Sequence, residues 1–344
     1  MAIRILLISI ICLNAFAGCA GEPLVEANTS NTPFAVSDPV RARYAAKFFI
    51  ILESNASLER KNAQANLSKI SLPPHLKKLL NDVSSSNIDT SLYARKALAN
   101  EGKTILALAK FDSDKGSDWN DARMELCALG EEALIQMAEV LANKMLLSDE
   151  KYKEWSRSQI VACGKAVINP VYFVLKTAKN NEIVSELSLA LAEIGKDAEV
   201  VIDRGIAEEN MGVSLALINA LGESGNEYWT KKLAGLLVND SRWQVRAEAA
   251  SAIGKMVDFS AAPFLIRGLS DADMAVRENC VKTLGGMKEP GAVPELIRLL
   301  DTKDNQNFIS SVVIALTQIT GKRFGGKFDL WKKWWSENSN SYNK

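Results

Sequence analysis

DSRWQVRAEAASAIGKMVDFSAAPFLIRGL, residues 240 to 269, returns in outline thirty-one residues further on. Asp240, Val245, Arg246, Gly254, Pro263, Leu265, Ile266, Arg267 and Leu269 reappear as Asp271, Val276, Arg277, Gly285, Pro294, Leu296, Ile297, Arg298 and Leu300. A fixed period of this size marks a repeat array. One step earlier, Val213, Leu217, Leu221 and Gly222 match Val245, Ala249, Ile253 and Gly254. Gly195, Gly164 and Gly130 carry the series backwards with drift in the spacing. Inside one copy, Val245, Ala249, Ala252 and Ile253 fall on one face of a helix. Gly254 follows near the end of that run, where a helix readily terminates. Pro263 suits the first turn of a second helix, whose apolar face is read as Phe264, Leu265 and Leu269. Asp271 and Asp273 are candidate caps for a helix beginning near Ala275. No period-2 alternation is sustained, so the pattern predicts an all-α chain with essentially no sheet. A single pair of short helices cannot bury its apolar face, so each pair must stack on the next, giving an α-solenoid.

An Asp, a Val-Arg pair, an Ala-rich run, a Gly and then Pro-x-Leu-Ile resemble the short bacterial HEAT repeat of the phycobilisome-lyase-like type. The match is good from Asp240 to Leu300 and recognisable from Arg123 to Thr320. The resemblance implies a superhelical stack in which the Val-Arg helices line the concave side. It also implies a structural ladder of Asp240, Arg246, Asp271 and Arg277, for which ordinary solvated charge is the plainer reading. Beside the buried stripe, Trp243, Glu248 and Ser251 have counterparts in Met274, Asn279 and Lys282. These six are the candidate partner-binding residues, with Trp243 the foremost because an aromatic at a helix start is a common interface anchor. Packing of Trp243 against the adjacent turn is the alternative.

Outward from the array, the C-terminal segment carries Phe328, Trp331, Trp334 and Trp335 at helical spacing. They resemble the Trp-rich tails that close HEAT-like arrays. At the other end, Met1 to Arg4 is short and basic, Ile5 to Phe16 is mostly apolar, and small residues follow. This is the layout of a secretory signal. Phe16-Ala17-Gly18-Cys19 resembles the bacterial lipobox, departing from it at Phe16, where Leu is usual. The resemblance implies lipid attachment at Cys19; an ordinary cleaved signal with a free Cys19 is the alternative. The organisation expected is therefore a signal peptide over 1–18, a flexible tether over 19–38, and a helical segment over 39–110 open to reading as degenerate repeats. The HEAT-like array follows over 111–321 and the Trp-rich cap over 322–344.

Chemistry is sparse. Lys plus Arg and Asp plus Glu are 41 each, which leaves no basic excess for phosphate contacts and no expected nucleic-acid partner. The single histidine, His75, follows Pro73-Pro74 and has no triad to serve. No phosphate-binding loop or metal-ligand spacing occurs, so no catalytic residue, cofactor or metal is expected. Cys127, Cys163 and Cys280 lie on apolar helical faces and read as small buried hydrophobes; a Cys127–Cys163 disulfide is the alternative. The function expected is a non-enzymatic protein-binding scaffold, exported and lipid-anchored, on the periplasmic side of the outer membrane if two membranes are present. Its partner would be a protein or extended peptide of the envelope, and its only membrane contact the lipid. A HEAT-type enzyme such as a bilin-lyase-like lyase is the alternative, disfavoured by export and by the lack of a catalytic grouping. Oligomeric state is not legible from the sequence.

Overall fold

A computed structural model describes residues 34–35, 39–54, 56–72, 74–147, 149–256, 258–302 and 305–341. The signal segment and Cys19 lie outside these residues, as does the tether apart from 34–35. The fold is all-α, a helical-repeat solenoid, and the chain divides into two compact units, Met1–Val174 and Leu175–Lys344. No single described helix is long and apolar enough to cross a membrane.

The first unit holds α1 (Pro39–Ile51), α2 (Ser57–Leu67), α3 (Pro74–Asp82), α4 (Ile88–Leu108), α5 (Gly116–Leu129), α6 (Glu131–Met145) and α7 (Glu150–Ala162). The division falls inside α8 (Ile168–Thr177). Helix α4 is the longest and packs on α1 and α3. It comes so close to α1 at Gly102 that a β-carbon there would stand 2.5 Å from the Ala46 carbonyl oxygen. Phe49, Leu52, Leu67, Leu76 and Leu98 fill the core between these helices. Essentially no sheet forms, as the pattern predicts, apart from one short pairing among the described residues. Strands β1 (Phe34–Ala35) and β2 (Ile70–Ser71) pair in parallel, Phe34 with Ile70. Two residues are too few to leave an alternation in the sequence.

The second unit is regular. Helices α9 (Asn181–Ile194), α11 (Met211–Glu223), α13 (Trp243–Met256), α15 (Met274–Met287) and α17 (Gln306–Thr320) pack in succession as one layer. The shorter α10 (Glu199–Ala207), α12 (Thr230–Asn239), α14 (Ala262–Gly268) and α16 (Val293–Leu299) each pack against the first-layer helix that follows them. A stack results because every apolar face is completed by the next copy. First-layer starts are capped by side chains: Asn180, Asn210, Asp273 and Asn305 accept backbone N–H groups of the first turn. Asp271 accepts the Asp273 N–H at 2.8 Å instead of capping directly. Val245, Ala249, Ala252 and Ile253 are all fully buried. Leu265 and Leu269 are buried too, whereas Phe264 is 43% exposed, so the second-layer helix is narrower on its apolar side than its composition reads.

The repeating glycine has a different cause from helix termination. Gly222, Gly254 and Gly285 lie inside their helices. A β-carbon on Gly222 would sit 2.5 Å from the Ala252 oxygen, and one on Gly285 would sit 2.9 Å from the Ala315 Cα. One on Gly254 would press on Thr283 at 3.1 Å. At Gly222 and Gly285 consecutive first-layer helices approach backbone to backbone, and at Gly254 the neighbour is the Thr283 side chain. After α17, the chain turns at Gly321 into α18 (Phe328–Asn338), which contacts α16. Trp331 is fully buried and its indole N–H donates to the Gly325 carbonyl at 2.7 Å. Phe324 meets its ring edge-on at 4.9 Å.

Candidate functional site

The face of the first layer that the stack does not consume is built from helix geometry. On α13 the stripe opposite the buried residues is Gln244, Glu248, Ser251 and Lys255, spaced four, three and four apart. Lys255 reaches across to α11, pairing with Glu223 at 3.0 Å and bonding Asn219. Glu248 is half-buried, and that burial raises its carboxyl above the usual range. Glu223 adds to the shift, while Lys255 opposes it. On α15 the same stripe holds Lys282, exposed and paired to Glu278 at 3.0 Å. On α17 it presents Ile314, 57% exposed.

The six candidate residues therefore separate. Glu248, Ser251 and Lys282 share this open stripe. Trp243, 44% exposed, stands at the first position of α13. Asn279 is tied inward, donating to the Ala247 carbonyl at 2.8 Å, and the Met274 sulfur receives the Arg277 guanidinium at 3.4 Å. The residues that reasoning from sequence missed are Glu223, Asn219 and Lys255. Only Lys255 has a sequence signal, its helical spacing from Glu248; Asn219 and Glu223 lie on the preceding first-layer helix and meet it only through packing.

The four charged residues of the ladder meet in space, though not all with one another. Arg246 grips Asp271 with two bonds, 2.8 and 2.9 Å, and donates to the Asp240 and Ser241 carbonyls at 2.9 and 3.1 Å. Arg277 repeats the second contact, donating to the Asp271 carbonyl at 2.9 Å. Burial raises the Asp271 carboxyl, and the bonds from Arg246 and the Asp273 N–H outweigh it, so the net shift is downward. Asp240 is held by Arg242, which also lowers its carboxyl and reaches back to the Ile206 carbonyl at 3.0 Å. Thr302 occupies the place where the repeat would put the next aspartate, and there the Arg277 guanidinium lies 5.5 Å over the Phe308 ring. One copy earlier Ser214 replaces the arginine, and its hydroxyl donates to the Ile206 carbonyl at 2.9 Å. The arginine position thus serves the loop carbonyls first and the next aspartate second.

In the first unit, Trp119 is fully buried among Phe111, Tyr152 and Trp155, and the Lys151 ammonium sits 4.3 Å over the Trp155 ring. A cavity of about 460 Å³ lies between α3, α4 and α6, lined in part by Tyr93, Lys96, Asn100 and Glu132. On α6, burial pushes the Glu139 carboxyl up to about 7. Among the described residues no three His, Cys, Asp or Glu side chains are grouped to hold a metal ion.

The class this geometry defines is a helical-repeat solenoid with an open, polar first-layer face. Residues 230–317 match the family model described as HEAT repeats. No curated protein sequence matches the chain. Among solved structures, the chain is similar to an engineered protein at 18% identity, covering 80% of this chain and 88% of that one, with a TM-score of 0.30. It is similar to human deoxyhypusine hydroxylase in complex with glycerol at 16% identity, covering 83% and 98%, with a TM-score of 0.31. It is also similar to the karyopherin Kap121p bound to the SUMO protease Ulp1p at 12% identity, covering 87% of this chain and 37% of that one, with a TM-score of 0.34. Likenesses at this level carry no information on activity.

Proposed function

We propose that this chain is a non-enzymatic protein-binding scaffold, anchored at a bacterial cell envelope through lipid on Cys19. Its partner is a protein or extended peptide of the envelope, held on the first-layer face of residues 175–344. The observation that supports this most is the stripe of Glu248, Ser251, Lys255 and Lys282. Successive helices present it in parallel, with Trp243 exposed at its edge. Solenoids offer such a face for extended binding, and charged side chains there set partner choice and encounter rate more than affinity. The lipobox resemblance at Phe16 to Cys19 supports the anchor. Two acyl chains would hold stably where one holds only marginally.

Two experiments on the full chain in a bacterial host test the two halves. An alkyne fatty acid should label the wild type in the membrane fraction, and C19S should lose both label and fractionation. An unlabelled, soluble wild type contradicts the anchor. A photo-crosslinking residue at Ser251 or Lys282 should trap a discrete envelope partner, and one at Phe264 in the second layer should not. Equal adducts from both layers contradict the binding face. With the partner in hand, W243A should weaken binding by roughly tenfold or more, as loss of an aromatic interface anchor does.

A further inference from the structure

Cys127 lies in the last turn of α5, and Cys163 closes α7 one residue beyond its end. Their sulfurs are 3.3 Å apart, and both residues are half-buried. A disulfide requires about 2.05 Å, so roughly 1 Å of approach remains, within reach of side-chain rotation. Cys280 is the contrast. It is buried with its sulfur against Gly268, and burial pushes its thiol up to about 12.

The surroundings of the pair are specific. Arg123, one turn before Cys127 on α5, donates to the Gln159 side chain at 3.2 Å and the Ala162 carbonyl at 3.5 Å. It therefore fixes the end of α7 beside α5. Burial and the adjacent Cys127 push the Cys163 thiol above its ordinary range, while Arg123 pulls the other way. Exchange with an existing disulfide supplies the two-electron oxidant that the pair itself lacks, and it proceeds through the thiolate of the attacking cysteine.

We propose that Cys127 and Cys163 are a disulfide-forming pair, oxidised by an external protein or small-molecule disulfide to a bond that ties α5 to the end of α7. One cysteine thiolate attacks the donor disulfide, forming a mixed disulfide and releasing the first donor thiol. The second cysteine, as thiolate, attacks the protein sulfur of that mixed disulfide and releases the second donor thiol. Two electrons and two protons pass from the cysteine pair to the donor, and one S–S bond is exchanged for another. The bond closes a loop that contains the whole of α6, so it restrains the unfolded chain as well as the folded one.

The test uses the purified full chain with oxidised glutathione as the probe, followed by alkylation and non-reducing peptide mapping. The expected result is one linked peptide holding Cys127 and Cys163, about 2 Da lighter than its two free parts. Both cysteines should escape alkylation, and Cys280 should not join them. The oxidised chain should melt several degrees above the reduced one. C163S should instead carry a single glutathione on Cys127. The proposal is overturned if the wild type keeps both cysteines alkylatable under conditions that oxidise a reference dithiol. Separate glutathiones on each cysteine, or linkage of either to Cys12, Cys19 or Cys280, overturn it as well. The wild-type readout stands even where a cysteine variant fails to fold.

Discussion

At the scale of single residues, Arg246 shows how one side chain joins two copies. Its side chain is 15% exposed and that of Asp271 is 12%, so the pair is shielded enough to matter. R246A removes two charge-assisted bonds and two loop-carbonyl bonds, and should cost about 2–3 kcal/mol in urea unfolding. R246K should recover little, because an ammonium cannot fork onto a carboxylate. An R246A loss under 0.5 kcal/mol would make the pair ordinary solvated charge. Glu139 supplies a prediction in pH. Its folded carboxyl titrates near 7 against an unfolded value of 4.5, so the folded state holds the proton more tightly. Its contribution to stability is full below the unfolded value and is lost as pH rises through 7. Wild type should lose stability relative to E139Q between those two values, and parallel melting profiles would show that Glu139 is not desolvated. The repeat made Arg246 and Asp271 legible in sequence, because both recur. Arg242 and Lys255 were not legible: neither recurs, and each finds its partner only through folding.

The glycines carry the argument at the scale of elements. A glycine inside a helix costs about 1 kcal/mol relative to alanine, so its retention needs a reason. Gly222 and Gly285 have one in the backbone of the neighbouring helix, and Gly286 has open space around its missing β-carbon. G222A and G285A should each destabilise by roughly 1–3 kcal/mol through forced separation of first-layer helices. G286A should stabilise by up to about 1 kcal/mol. If all three shift stability in the same direction, close approach is not what the glycines provide. The sequence showed that a glycine repeats but suggested helix termination, because residue spacing says nothing about how near the next helix comes. Helix boundaries were legible where caps were present, as at Asp273. Phe264 was misread because an aromatic at an apolar position counts as core whether or not a neighbour covers it.

The whole chain was legible in proportion to its regularity. The strict copies between Asp240 and Leu300 revealed the stack, and the HEAT-repeat model matches residues 230–317 around them. Residues 39–110 left no comparable trace; there the long α4 packs on α1 and α3. At the C-terminal end, Trp331 is fully buried, and W331A should cost roughly 3–5 kcal/mol. The central physical claim is that each copy in residues 175–344 is stabilised mainly by its immediate neighbours. Native-state hydrogen exchange on L316A, a fully buried residue of α17, tests it most directly. Nearest-neighbour stacking predicts that protection falls most in α16 to α18, less in α15, and hardly at all in α9 to α11. An equal loss across every helix from α9 to α18 would contradict it, marking a single cooperative core in place of a stack.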